Sequence, residues 1–527
     1  MALALCAYVN SFPGAFIGDD LAIVRDSPLV WSADLPTIVA ADYWGTGAGS
    51  GLHRPLTILS YALGARLFGP APVFFHLVNV LLHAGVAVLT SVVLVAAGVP
   101  LALSWLAGAL FAVHPVHTEV IDIVTGRAEL LAALFVLLAA RSALRRGRLH
   151  RVVAAAWYTL ALLSKESAAT FPALLLLLDV FGTRERRAVA RERWPLYALL
   201  CVVTACWLAF RKWALLSGSL PRNLPDPVDN PLVLLDLPAR VLTALKVQFL
   251  YAVRLAAPLR LDAAFVDTMI GPVSRAGSVQ GLAVAAGAIA AVVAIVAGWR
   301  RRQAWALGAV LHCAAFATTA NLLVVTPFLM AERFAYLPSV GFCLLLAAVL
   351  LAATRWLGRA RALAATAAVV AAALVLLTAR TAIRNRDFAD GITLWTAETG
   401  REPGNVRSWL FLAGAYADAG ERGRAERALR RALEVRPGFT DARLALGFLL
   451  LEAGRPVEGI RRFEEVMERI PGVSPLAMLG LARGYIDLGM LPEAARWLES
   501  VPEYFRHIDA YRDVAERLEA ADGRARR

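Results

Sequence analysis

Asp19 and Asp20 stand side by side in Phe16-Ile17-Gly18-Asp19-Asp20, at the end of a short apolar run and the start of a loop reaching about Gly69. A carboxylate can take a proton from a hydroxyl as that hydroxyl attacks, and its neighbour can position the substrates. A helix end needs only one Asp or Ser to cap it, so the pair points to catalysis. Other titratable groups gather at the ends of later apolar runs. They occur in His53-Arg54-Pro55, His114-Pro115-Val116-His117-Thr118-Glu119, Gly126-Arg127-Ala128-Glu129, Ser164-Lys165-Glu166 and Ala331-Glu332-Arg333-Phe334. Charge beside a hydrocarbon core is costly and marks functional positions.

Within this set the cations suit a phosphate. The guanidinium of Arg54, Arg127 or Arg333 matches phosphate oxygens two at a time, and Lys165, in a turn between two short runs, needs an anion. Glu166 is the alternative partner for Lys165, and a Glu332–Arg333 ion pair is the plain alternative for that motif. His53, His114, His117, Glu119, Glu166 and Glu332 supply hydrogen bonds for a sugar or a phosphate. His114, His117 and Glu119 also have types that ligate metal, but Pro115 denies them a fixed helical frame and no metal is expected. His76, Asn79 and His83 recur at helical spacing along one face, which reads as a polar seam between helices rather than a site.

The elements that must position these residues are membrane helices. Of 527 residues, 59% are hydrophobic and the mean hydropathy is +0.60. Apolar runs long enough to cross about 30 Å of hydrocarbon recur as far as Thr378. The net charge of +13 does not imply a nucleic-acid partner, because from Asn405 onward 20 Arg face 19 Asp and Glu. The excess lies in four short loops, Arg141–Arg151, Arg184–Arg193, Arg300–Arg302 and Arg355–Arg361, which the positive-inside rule places in the cytoplasm. An even number of crossings must then separate successive loops. The N-terminal run, Val73–Ala97, Leu101–Val113, Glu129–Leu144, Val152–Ser164, Ala168–Gly182, Trp194–Leu216, Val279–Gly298, Ala304–Leu323, Phe334–Ala353 and Ala362–Thr378 satisfy that parity as about eleven spans. Leu232–Ala257, with Asp236, Arg240, Lys246 and Arg254 at helical intervals, fits an amphipathic helix in the outer interface. Every polar cluster and the C-terminal part then fall on the outer side. The five cysteines sit in apolar stretches at no motif spacing and are expected to be buried. The first run, about 17 residues with Asn10, Ser11 and Pro13, is short for a span and has neither the basic flank nor the cleavage site of a signal peptide.

From Val406 a 34-residue period appears. Trp409, Leu412, Tyr416, Ala425, Leu429, Ala432 and Pro437 take tetratricopeptide (TPR) positions, and Leu446, Gly447, Leu450, Gly459, Phe463 and Pro471 repeat them. A third frame, one residue out of register, carries Leu481, Tyr485, Ala494 and Leu498. The expected organisation is an all-α chain. Residues 1–380 form a polytopic membrane domain, 381–405 a partial opening repeat and linker, and 406–508 three repeats (406–439, 440–474, 475–508). A charged capping helix covers 509–527. A TPR array presents a concave surface suited to holding a polypeptide.

Taken in order, Phe16-Ile-Gly-Asp-Asp20, Arg54-Pro-Leu-Thr57, Phe75-His-Leu-Val-Asn79, His114-Pro-Val-His-Thr-Glu119, Gly126-Arg127, Ser164-Lys-Glu166 and Ala331-Glu-Arg-Phe-Ala-Tyr-Leu-Pro338, followed by TPRs, resemble the transmembrane-and-TPR O-mannosyltransferase-like proteins. These are relatives of the protein O-mannosyltransferases with the GT-C fold. The resemblance covers nearly the whole chain. It implies an inverting, metal-independent transfer, with no cofactor, of a sugar such as mannose from a polyprenyl-phosphate donor to a Ser or Thr hydroxyl of a protein. It implies a bacterial inner-membrane protein with its site and TPRs on the extracytoplasmic side, among membrane lipids. The family's acidic motif maps onto Asp19-Asp20. Gly18, where the family often has a bulkier residue, and the short first span depart from it. A non-catalytic membrane-anchored TPR adaptor, and the same chemistry on a lipid or glycan acceptor, are the competing readings.

Overall fold

The computed structural model describes residues 1–45, 51–182, 186–215, 226–322, 324–353, 359–469, 474–506 and 508–525, of which 186–191 and 359–360 are described by backbone alone. The basic loops Arg184–Arg193 and Arg355–Arg361, the run ends Leu216 and Leu323, and Pro471 fall wholly or partly outside those residues. Every regular element described is helical, so the chain is all-α. Contacts divide it into two units. The larger holds Met1–Tyr43, His53–Ala214 and Asn223–Asp390, and the smaller holds Gly391–Arg527 with the short segments Trp44–Leu52 and Leu215–Arg222.

In the larger unit, Pro72–Ala96, Glu192–Leu215, Val279–Arg300 and Arg361–Ala389 are long and apolar enough to cross a membrane. A fifth span results if the bent pair Leu101–Val113 and Pro115–Asp122 counts as one. The outer surface of Val279–Arg300 exposes Leu282, Ile289, Val292 and Val293. A helix that is apolar on its exposed side is stable only against lipid; these helices make the chain an integral membrane protein. The four cysteines Cys6, Cys201, Cys206 and Cys313 are exposed, not buried as expected, and only Cys343 is inside. Their stretches are apolar because they face outward into an apolar surrounding, not because they build the core.

Several runs that read as spans are shorter helices broken at the polar motifs. Arg148–Ser164 and Phe171–Gly182 have 17 and 12 residues, or about 25 and 18 Å at 1.5 Å per residue. Lys165 between them is extended, with φ −160° and ψ 146°. The run expected over Ala304–Leu323 is helical only over Ala304–Ala315. Beyond it Asn321 adopts φ +59°, and its side-chain oxygen accepts from Thr326 N at 2.7 Å and from Asn230 Nδ2 at 3.0 Å, fixing a loop instead of a helix. At His114-Pro115 the chain bends by 50°. Proline cannot donate to the preceding turn and forces its predecessor out of helical geometry; His114 has φ −76° and ψ 124°. The interior is a continuous apolar cluster in which Phe111, Tyr158, Phe171 and Tyr336 are wholly buried.

In the smaller unit Gly391–Arg401, Val406–Asp418, Arg422–Val435, Thr440–Glu452, Pro456–Arg469, Pro475–Asp487, Leu491–Ser500 and Asp509–Ala525 follow one another as antiparallel helices joined by short turns. Phe463 is wholly buried, and a Cβ at Gly447 or Gly480 would lie 2.6 or 2.4 Å from its ring. Only glycine lets the flanking helices close on that ring.

Candidate active site

Asp19 and Asp20 follow Gly18, whose φ of +57° lies in the left-handed region that glycine accepts without strain. That turn sends the two carboxylates to different places. Asp20 is wholly buried. Its Oδ1 accepts from Thr125 N at 2.7 Å, and its Oδ2 accepts from Val124 N at 3.0 Å and Ile17 N at 3.2 Å. Burial raises its carboxyl to about 7 against the opposing pull of these three donors. Asp20 therefore holds two backbone segments together. Asp19 is exposed, and among the described residues it has no ion pair or hydrogen bond. Enough protein surrounds it for desolvation to raise its carboxyl above the ordinary aspartate range, against the pull of Arg333 and then Arg54. It lies in a recess rather than on a convex surface.

The walls of that recess are the broken helices. Arg54 precedes Pro55–Phe68, which Pro55 starts from the first position. Its Nε and Nη2 engage Glu166, with Nη2 to Oε2 at 3.0 Å. Its guanidinium lies 4.8 Å over the Tyr43 ring. Burial opposes the charge on Arg54, but Glu166 raises its pKa overall, and Arg54 in turn lowers that of Glu166. Arg333 pairs through Nη1 with Glu119 at 2.6 Å, and its backbone N–H reaches the same carboxylate at 2.8 Å. Glu119 and then Asp19 raise the Arg333 pKa against burial. Arg54 Nη1 and Arg333 Nε and Nη2 make no hydrogen bond among the described residues.

Lys165 is 8% exposed and pairs with Glu129. Burial lowers its pKa. The acid that meets it is thus not its sequence neighbour Glu166, which belongs to Arg54: the extended backbone at Lys165 turns consecutive side chains to opposite sides. Arg127 departs from the expectation of a phosphate ligand. At 1% exposure its Nε donates to Asn79 Oδ1 at 2.9 Å, Nη2 to Phe75 O at 3.0 Å and Nη1 to Ser60 O at 3.3 Å. Its guanidinium joins three segments from inside.

The histidines are structural in the same sense. His53 bonds Val39 O at 2.8 Å. His114 bonds Leu255 O at 2.9 Å and accepts from Val116 N, and His117 bonds Ser339 Oγ at 2.8 Å. The His114, His117 and Glu119 side chains thus address three different partners, and among the described residues no group of His, Cys, Asp and Glu could hold a metal ion. Asn79 bridges Arg127 to the carbonyls of Ile121, Ile123 and Val124, and His83 meets Tyr336 Oη at 2.8 Å, forming a seam between helices. Glu332 is buried, accepts from Asp262 N at 2.7 Å, and does not pair with its neighbour Arg333. Burial raises its carboxyl well above the usual range. Tyr43, which sequence reasoning passed over, lines the recess. A single aromatic carries no spacing signal, so nothing in the sequence marked it.

The fold and the recess define a membrane protein with charged groups assembled at interrupted helices and a helical-repeat unit beside its sequence end. Residues 450–518 match the family described as Tetratricopeptide repeat. The chain is 24% identical over 454 residues to the Caenorhabditis elegans protein described as protein O-mannosyl-transferase F38B6.6, covering 83% of this chain and 62% of that protein. It is 27% identical over 480 residues to human protein O-mannosyl-transferase TMTC4, covering 80% of this chain and 64% of that protein. A shorter stretch of 194 residues is 39% identical to Drosophila melanogaster protein O-mannosyl-transferase Tmtc1, covering 34% and 22% of the two. The chain spans less than two thirds of the length of these relatives. The similarity is distant and extends over most of the chain.

Proposed function

We propose that the chain is a membrane glycosyltransferase that moves mannose from a polyprenyl-phosphate donor to a Ser or Thr hydroxyl of a protein. The observation that carries this reading is Asp19, an accessible carboxylate without an ion-pair partner, under the influence of the Arg54 and Arg333 guanidiniums. In the transfer, the acceptor oxygen bonds to the sugar C1 while the C1–O bond to phosphate breaks. The hydroxyl proton passes to Asp19, and the electron pair leaves with the polyprenyl phosphate. Arg54 and Arg333 face the charge that grows on the departing phosphate, while Glu166 and Glu119 hold the two guanidiniums in place. Asp20, Arg127, the Lys165–Glu129 pair, His114 and His117 keep the surrounding turns fixed and do not touch substrate.

Distant similarity to proteins described as O-mannosyl-transferases supports the reaction class, and the repeats match the role of holding a polypeptide acceptor. Eleven crossings with the four basic loops inside would put recess and repeats on the extracytoplasmic side, over domains 1–380, 381–405, 406–508 and 509–527. The test is transfer of labelled mannose from polyprenyl-phosphate mannose to Ser/Thr peptides by the purified full chain in lipid nanodiscs. Labelled peptide that loses its sugar on β-elimination is expected; no transfer to any peptide, lipid or glycan acceptor would overturn the enzyme reading. A C-terminal alkaline phosphatase fusion is expected to be active in a bacterial host, and activity confined to a cytoplasmic reporter would overturn the orientation.

A further inference from the structure

Tyr43 is 4% exposed, and its hydroxyl has no hydrogen-bond partner among the described residues. A buried tyrosine hydroxyl ordinarily finds one, because leaving it unmade forfeits its hydration. The neighbours that could accept from it are otherwise engaged. Asp20 accepts three backbone N–H groups. Tyr61, close enough to influence the acidity of Tyr43, turns its own hydroxyl to Val124 O at 3.3 Å. Asp19 acts on Tyr43 through space without a hydrogen bond. The charge that acts on it most strongly is Arg54, whose guanidinium covers its ring and whose Nη1 is outside the pair with Glu166.

We propose that the Tyr43 hydroxyl, together with Arg54 Nη1, is a binding site for an anionic phosphate oxygen of the polyprenyl donor. A hydroxyl donor and a guanidinium N–H side by side complement an acceptor carrying negative charge, and a neutral sugar hydroxyl would leave the cation's share of the site unused. Burial pushes the Tyr43 hydroxyl up to about 12, so it remains a donor throughout the working range of pH. Tyr43 thereby becomes a substrate-binding residue that also positions Arg54, since its ring forms the floor on which the guanidinium lies. This rests on the donor assigned above and deepens it.

Tyr43→Phe separates the two roles, because it keeps the floor and removes the donor. The full chain in detergent is titrated with a polyprenyl monophosphate and, as a control, with the polyprenol of the same chain length. Loss of one hydrogen bond to a charged oxygen should weaken binding of the phosphate about tenfold or more. The alcohol affinity and the melting temperature should be unchanged, and the loss should be the same at pH 6 and pH 9. Equal phosphate affinity in wild type and Tyr43→Phe overturns the inference while leaving the donor reading intact. An equal loss in Tyr61→Phe assigns the effect to the pair of hydroxyls and also overturns it. A wild type that does not distinguish phosphate from alcohol overturns the donor reading and this inference with it.

Discussion

The same chemical pair, a basic side chain against a carboxylate, occurs in both units, and the surroundings give it opposite meanings. In the repeats Arg431–Glu434 and Arg517–Asp513 leave about half or more of each side chain in water, at 51% and 63% and at 50% and 54% exposure. Such pairs contribute about 0–1 kcal/mol, since water and salt screen them and two long side chains must be ordered. In the recess Lys165–Glu129 leaves 10% and 7% exposed. Its attraction is strong, but so is the cost of desolvating both groups, and its value lies in geometry more than in stability. Charge alone therefore does not mark a site. A site needs charges that protein has already removed from water, with one group among them left unpaired, and here that group is Asp19.

Breaking one partner should expose this contrast most sharply at Lys165. Lys165→Met leaves Glu129 buried without a counter-charge, and the full chain in detergent should lose about 3–5 kcal/mol of stability in thermal or denaturant unfolding. Adding Glu129→Leu should recover most of it, and a single variant that melts like wild type would refute the buried-pair assignment. Next in size is Asp19→Asn, expected to lower transfer by roughly 10²-fold or more without changing the melting temperature. Because desolvation raises the Asp19 carboxyl, the base is lost as pH falls through a value above the ordinary aspartate range. The acid limb of the wild-type rate profile should lie there, and an acid limb at an ordinary aspartate pKa would contradict the recess.

Asp20→Asn should act in the reverse manner, on stability first. Asn presents an NH2 group toward at least one of three backbone donors, at a cost of about 1–3 kcal/mol. Asp20 also ties stability to pH. Its folded value of about 7 lies above the roughly 3.9 of an unfolded aspartate, so the contribution from its proton is full below about pH 4 and lost as pH rises through 7. The wild-type melting temperature should carry that downward slope between pH 4 and 7, and Asp20→Asn should flatten it. An unchanged slope would show that Asp20 titrates normally. Smallest is Arg431→Gln in the repeats, expected within about 0.5 kcal/mol of wild type. A larger loss would mean that the exposed pairs of the solenoid cooperate as a network.

The all-α class, the membrane character and the repeats were legible in the sequence because each rests on local regularity: apolar length, the 34-residue period, and prolines and charges at helix ends. The clusters at Arg54, His114–Glu119, Lys165–Glu166 and Arg333 were legible as interruptions of apolar runs for the same reason. Roles within those clusters were not. Asp19 and Asp20 are the same residue type one position apart, yet Gly18 and the turn after it send one into a recess and the other onto the backbone at Val124 and Thr125. Arg127 and Arg54 read alike as phosphate ligands, and burial among Asn79, Ser60 and Phe75 removes the first from reach. Lys165 meets Glu129, 36 residues away, instead of adjacent Glu166. Residue type and local spacing determine which charges the chain carries and where its helices break. Which charge meets which, and which is left accessible, depends on contacts between segments distant in sequence, and only the packed helices decide it.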